Sequence, residues 1–232
     1  GNLYGGLGSS ANDAEGWMWN GTTWSKIGGD SINSGWGANY EEVSSLATNN
    51  GIIYAGIGNS GNDAEVWVWN GISWSKIGGD SLNAGWGANF ERVTAMAVLD
   101  NQLVAGLGSS ATDAEVWRWN GTSWTKIGGD GVASSWNTNY EQVDVLSIYG
   151  DSLIAGLGTS TADAEVWSYT SGIWSKIGGD DINNSWLDGT YERVRAISVY
   201  NGNLIAGLGN TTGEGEVWAW DGITWTKIGG NS

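Results

Sequence analysis

Five copies of the unit W-x-K-I-G-G, led by Trp24, Trp74, Trp124, Trp174 and Trp225, recur at spacings of 50, 50, 50 and 51 residues in a chain of 232. Near-identical copies at a fixed period must adopt near-identical local structure. They bury their apolar faces by stacking on one another, so one supersecondary unit decides the architecture. It also decides the form of any function: what one copy binds, the others are expected to bind.

The copy that begins at Phe90 shows the unit's plan. Phe90 to Val98 (F-E-R-V-T-A-M-A-V) is an apolar and small-residue run, predicted as a strand, and Asp100-Asn101-Gln102 is a short turn. Leu103 to Gly108 (L-V-A-G-L-G) is predicted as a second strand, followed by a polar loop from Ser109 to Asp113. Ala114 to Trp119 (A-E-V-W-R-W) alternates strictly and places Glu115, Trp117 and Trp119 on one face. Asn120-Gly121 is a tight-turn signal, Ser123 to Ile127 is the fourth strand, and a longer loop from Gly131 to Asn139 leads to Tyr140.

Four antiparallel strands in about 50 residues match a blade of a β-propeller, and the expected fold is an all-β, five-bladed β-propeller of four-stranded antiparallel blades. A single domain is expected over 1–232, with repeats at approximately 1–39, 40–89, 90–139, 140–190 and 191–232. The second, third and fourth strands occur five times. The first occurs four times, near Tyr40, Phe90, Tyr140 and Tyr191, so the inner strand of the first blade is expected to be missing or supplied from elsewhere. A solenoid is the architectural alternative. In an antiparallel meander the two longer connections of each unit fall at the same end, which gathers polar loops onto one surface.

Composition narrows the chemistry. There is no cysteine and no histidine, which excludes disulfides, thiolate metal sites and the commonest general base. A formal net charge of −16 disfavours nucleic acid and anionic membranes, and the chain holds no apolar run of about 20 residues that could span a bilayer. No enzyme is expected: five equivalent shallow sites are a poor way to build one asymmetric cleft, and without His or Cys no nucleophile–base–orienter set can be assembled, which leaves only Ser–Lys and carboxylate chemistry open. The G-L-G-S-S stretches are not followed by a helix pattern and are not phosphate loops. The N-x-S/T matches at Asn20, Asn120, Asn184 and Asn210 fall in turns or loops.

Two residue sets remain for binding. Trp36, Trp86, Trp136 and Trp186 lie in polar loops ahead of Asn39, Asn89, Asn139 and the matching segment of the last copy. Each indole is either a stacking platform for the apolar face of a sugar or a plug between units. Asp13-Ala14-Glu15, Asp63-Ala64-Glu65, Asp113-Ala114-Glu115 and Asp163-Ala164-Glu165 each present two carboxylates in one direction, with Glu214-Gly215-Glu216 in the fifth copy. These acids could accept hydrogen bonds from sugar hydroxyls, hold calcium, or pair with Lys26, Lys76, Lys126, Lys176 and Lys227. No metal ligand and no cofactor is assigned. The remaining tryptophans of the third and fourth strands (Trp17, Trp19, Trp24 and their equivalents) are expected in the core between units.

The loop tryptophan after each I-G-G, together with N-D-x-x-W leading into the third strand (Asn12-Asp13 to Trp17, Asn62-Asp63 to Trp67), resembles the tachylectin-type five-bladed lectins. The D-A-E-V-W core is also similar to kelch-like bacterial propeller repeats. The resemblance to the lectins implies sugar binding, to N-acetylated amino sugars, in grooves between neighbouring blades, at Trp36, Trp86, Trp136 and Trp186 with Asp13, Asp63, Asp113 and Asp163 nearby. The expected protein is therefore a multivalent, lectin-like glycan-binding module, outside the cell or on its surface, with at most four full sites. A structural or protein-interaction propeller of an adhesin or fibre is the alternative.

Overall fold

The computed structural model of the chain describes residues 1–9, 13–59, 61, 63–108, 113–159, 163–187, 189, 191–209 and 215–230. Strand accounts for 56% and helix for 6%, the latter all in short 3-10 turns, so the protein is nearly all β. The complete unit reads as predicted. In the copy beginning at Tyr40 the strands are Glu42–Asn49, Ile52–Gly58, Glu65–Trp69 and Trp74–Gly78, each antiparallel to the next. The fourth copy repeats them as Gln142–Tyr149, Ser152–Gly158, Glu165–Thr170 and Ile173–Gly178. The first copy is a three-stranded sheet, Leu3–Leu7, Glu15–Trp19 and Trp24–Gly28.

The chain forms two compact units, residues 1–109 with 117–125, and residues 110–116 with 126–232. Each has its own core. The first packs Ala14 and Ile27 of one copy against Ile53, Ala55, Ile57 and Trp74 of the next, then Tyr54, Ala64 and Val66 against Leu103, Leu107 and Trp124. The second packs Ile154, Ala164 and Val166 against Leu204, Ala206, Leu208 and Trp225. The same two faces of the repeat therefore meet at each joint.

The joint explains W-x-K-I-G-G residue by residue. The leading indole N–H donates to the Ile carbonyl of the preceding copy: Trp74 to Ile27 and Trp124 to Ile77 at 2.8 Å, Trp174 to Ile127 and Trp225 to Ile177 at 2.7 Å. The first glycine has no room for a side chain. A Cβ on Gly78 would stand 2.9 Å from both the Trp124 and the Trp86 indoles. The second glycine has positive φ, as at Gly79 (φ 100), and its Cβ would strike the Ala64 carbonyl at 2.7 Å.

Two features depart from the expectation. The first strand begins at Arg92 rather than Phe90, because the Phe90 carbonyl is taken by the Ala64 N–H at 3.0 Å. The long loop contains a 3-10 turn, Leu82–Ala84 in one copy, with Ser81, Asn83 and Ala84 at positive φ. Asn83 secures that turn through a bond from its side-chain amide to the Ile77 carbonyl at 3.0 Å. Asn20 and Asn120, expected in turns or loops, are tight-turn residues whose side-chain oxygens accept two backbone N–H groups each. Residues 109–112, Asn12, Asn62, Asn210 and Glu214 lie outside the described residues.

Gly78→Ala is expected to lower unfolding free energy by about 1–3 kcal/mol, since the added methyl must displace two packed indoles. Urea denaturation measures it, with Ile72→Ala, 80% exposed, as a control that shifts stability by no more than about 0.5 kcal/mol.

Candidate binding site

At the end of the repeat where its two longer loops meet, one alanine organises both. The Ala64 N–H bonds the Phe90 carbonyl at 3.0 Å, and the Ala64 carbonyl accepts the Trp86 indole N–H at 2.7 Å. The same pair of bonds fixes Ala14, Ala114 and Ala164, with indole bonds of 2.7, 2.8 and 2.7 Å from Trp36, Trp136 and Trp186.

That geometry corrects the stacking role expected of Trp36, Trp86, Trp136 and Trp186. They are 1–3% exposed, and each rests edge-on against two other indoles, as Trp36 does against Trp67 and Trp74 at 6.1 and 5.1 Å between ring centres. An indole has one polar atom. Once that atom is satisfied by a carbonyl, burying the ring against other aromatics is its lowest-energy option. No ring face is left for a sugar, and these tryptophans are core.

Outside them a polar cluster converges. Glu65 and Trp67 point the same way along the third strand, and Lys76 stands opposite on the fourth, because Trp67 pairs with Lys76 in the register. The Lys76 ammonium bridges Glu65 at 2.5 Å and Asp80 at 2.7 Å, while the Trp67 indole N–H donates to the other Glu65 oxygen at 2.7 Å. The Tyr40 hydroxyl also bonds Glu65 and Asp63. In the other unit Lys176, Glu165, Asp180, Trp167, Tyr140 and Asp163 are arranged alike. Carboxylate oxygens of Asp63, Glu65 and Asp80, and of their counterparts at 13/15/30, 113/115/130 and 163/165/180, lie within 4.8 Å of one another. In each set a lysine ammonium bonds the Glu and the last Asp. The pairing of these acids with lysine is therefore realised, and it gives no support to calcium.

Burial sets the protonation. Burial pulls the Lys76, Lys126 and Lys176 values down, but bonds to Asp80, Asp130 and Asp180 and to Glu65, Glu115 and Glu165 outweigh it and hold all three above the usual lysine value. Burial raises the carboxyls of Glu65 and Glu165, against the bonds from lysine, tyrosine and tryptophan. Three donors on two oxygens are the surroundings of a carboxylate, so the pair is read as ammonium and carboxylate. At Glu15 the bond from Lys26 dominates and the carboxyl is lowered. Burial lifts the Tyr40 and Tyr140 hydroxyls far above the ordinary tyrosine value, reinforced by the adjacent acids.

Ser135, Trp136, Asn137, Asn139, Tyr140, Asp163, Glu165, Trp167, Lys176 and Asp180 line one open cavity of about 430 Å³. Three expected site residues, Trp136, Asn139 and Asp163, are thus brought together, with Trp136 at the back as a buried wall. A second cavity of about 260 Å³ is lined by Ser185, Trp186, Leu187, Tyr191, Glu216, Trp218 and Lys227. The residues missed as site members are the Trp and Lys of each set, with Tyr40 and Tyr140; the Glu was already legible beside the Asp. Alternation in D-A-E-V-W puts Glu165 and Trp167 on one face, and this was readable. The pairing that sets Lys176 beside them comes from the hairpin register, with its bulge between Val166 and Trp167. Among the remaining expected residues, Asp13, Asn39 and Asn89 are exposed, and Asp63 and Asp113 are half-buried, in equivalent positions. Phe90 stands where other copies carry tyrosine and brings no hydroxyl to its copy.

No family model matches the sequence, and no curated protein is similar to it in sequence. Solved structures are similar in fold. SapL1 lectin in complex with alpha methyl fucoside superposes with a TM-score of 0.61 at 11% identity, over 98% of this chain and 76% of that one. The fucose-specific lectin from Aleuria aurantia gives 0.54 at 14%, over 99% and 77%. The same lectin bound to Fucalpha1-6GlcNAc, as a point variant, gives 0.53 at 13%, over 99% and 78%. These neighbours are β-propeller lectins, and the chain resembles them in fold.

Two outcomes are expected. Trp86→Ala should cost about 3–5 kcal/mol in urea denaturation, the penalty of emptying a core site. Alkali should destabilise the fold. The affected lysines and tyrosines have folded values above their unfolded ones of 10.5 and 10.0, so the fold keeps protons that the unfolded chain releases. Their contribution is complete below about pH 10 and is lost as pH rises beyond it. Melting temperature followed from pH 8 to 12 checks this, and a flat profile contradicts it.

Proposed function

We propose that the chain is a multivalent carbohydrate-binding module, a run of five propeller blades carrying a sugar site at the long-loop end of successive repeats. The observation that carries this reading is the cavity around Trp167. It combines an indole beside a buried wall with an ammonium donor (Lys176), carboxylate acceptors (Asp163, Asp180) and a loop amide (Asn139). Hydroxyl groups need both donors and acceptors, and the apolar face of a pyranose needs an aromatic surface. The fold likeness to lectins supports the same reading, as does the recurrence of the cluster in the cavity at Trp218.

The site is read as non-catalytic. The Glu165 carboxylate is 2% exposed and already takes bonds from Lys176, Trp167 and Tyr140, so neither oxygen is free to exchange a proton with a substrate. The ligand class is a neutral glycan. The amino-sugar expectation from the tachylectin-type resemblance and the fucosides bound by the structural neighbours are the two arms of the test. A location outside the cell or on its surface follows from such a ligand and is part of the proposal.

Single sites of this size are expected to bind simple sugars with Kd of roughly millimolar to tens of micromolar. Several sites on one chain would raise avidity for a glycan-coated surface by about 10²–10⁴. Calorimetry with methyl fucoside and N-acetylglucosamine, together with a glycan array, tests this. Trp167→Phe and Asp180→Asn should lower the number of binding sites without changing the circular dichroism spectrum. A folded protein that binds neither sugar at millimolar concentration and no glycan on the array overturns the proposal.

A further inference from the structure

The cavities read as sugar sites lie at the long-loop end of the repeat. A different cavity, of about 290 Å³, opens at the other end, where short turns of the second and third copies meet. The second copy lines it with Asn49 and Tyr54, and the third contributes Asn101, Gln102, Leu103 and Trp119. All of these belong to the first compact unit. The repeat itself does not call for such a space. In the fourth copy Tyr149 stands at the position of Asn49, and its hydroxyl donates to the Gly202 carbonyl at 2.9 Å. The Asn49 amide donates to the equivalent carbonyl, that of Asn101, at 2.8 Å. The same bond is thus made by a side chain shorter by a ring, and the room of that ring is left open.

Two further departures from the repeat put polar groups on the wall. Tyr54 takes the place of Val104, Ile154 and Ile205, and Gln102 takes the place of Ile52. The Tyr54 side chain is only 8% exposed, yet its hydroxyl bonds to no described residue, and burial alone raises it above the ordinary tyrosine value. Tyr40 and Tyr140, by contrast, are satisfied by acids. The Gln102 amide also has no partner among the described residues. Asn101 spends its backbone carbonyl on Asn49 and its side-chain oxygen on Asn50, at 2.8 and 2.7 Å, which leaves its amide N–H groups to donate. Asp100 at the rim is neutralised by Arg118 at 3.0 Å. Trp119 leans on Trp124 at 5.3 Å between ring centres and, with Leu103, supplies the apolar part of the lining.

We propose that this cavity is a binding site, present once in the chain, for a small neutral hydroxylated ring such as a monosaccharide or a cyclitol. The Tyr54 hydroxyl and the Gln102 amide each donate and accept, the Asn101 amide donates, and the ring lies against Trp119 and Leu103. An anion would find no free cation here, and a cation would meet an acid already paired with arginine. A wholly apolar guest would leave a buried hydroxyl and an amide unsatisfied. The volume suits one ring, near the lower limit of small-molecule pockets. The site shares no residue with the long-loop cavities and does not depend on their sugar reading.

Amide chemical shifts of the nitrogen-15-labelled chain, titrated separately with methyl fucoside, N-acetylglucosamine and myo-inositol, test it. At least one of these should shift the amides of Asn101, Gln102 and Gly121 saturably, with Kd of roughly millimolar or below. Tyr54→Phe removes only the hydroxyl, and Gln102→Ile installs the residue of the second copy. Each should weaken binding there about tenfold or more. Should Tyr54→Phe fail to fold by circular dichroism, Tyr54→Ile, the residue of the fourth and fifth copies, replaces it with the same expectation. Trp167→Phe should leave these shifts unchanged. Shifts confined to amides around Trp167 would support the long-loop sites and overturn this one, whereas shifts confined to the turn end would support this one alone. Three probes that move none of these amides overturn the proposal, as do shifts that survive both substitutions or that Trp167→Phe abolishes.

Discussion

The bond from an indole N–H to the isoleucine carbonyl of the preceding repeat is the contact on which the rest depends. It is short, buried and formed by atoms whose alternatives are poor: an unpaired indole N–H and an unpaired carbonyl in that core would each cost about 1–3 kcal/mol. It also dictates its surroundings. The carbonyl can meet the indole only if the next residue is glycine, since a Cβ on Gly28 or Gly128 would stand about 3 Å from the approaching nitrogen. The chain must then turn sharply, which the second glycine permits. A motif that looks like a binding signature is thus the specification of a joint.

The loop tryptophans continue that joint outward. Each indole reaches back across 22 residues to an alanine carbonyl and lies edge-on against the leading tryptophan of the following copy. Aromatic pairs of this kind contribute about 0.5–1.5 kcal/mol each beyond their burial. The effect is to anchor a loop that otherwise contains several residues at positive φ. The polar cluster of Glu165, Lys176 and Tyr140 therefore sits on a stiff support. Side chains held by such a support lose little further freedom when a ligand arrives, which suits shallow sites that make few contacts.

Charge is arranged to the same end. In a chain of net charge −16, the lysines of the repeat are spent at the acids of their own repeat, Lys76 on Glu65 and Asp80, Lys176 on Glu165 and Asp180. The ammonium bonds two of the three carboxylates of each set. It leaves an edge of acceptors and one donor facing the cavity, a pattern suited to neutral hydroxylated ligands rather than to ions.

The repeat, its four strands and the end at which the loops gather were legible in the sequence, because period and alternation are local properties. Strand limits were readable to within one or two residues, as at Phe90, whose displacement came from a bond to a different copy. The direction of each loop tryptophan was not legible. Trp36 is flanked by two glycines and Trp67 by two valines, yet the first is sealed in the core and the second borders the polar cluster. What separates them is which carbonyl lies within reach of the indole nitrogen, and that carbonyl belongs to a residue far away in the chain. Sequence alone determined that one unit recurs and how it folds on itself. The tertiary structure decided which aromatic faces remain for a ligand, because only packing between copies consumes a surface.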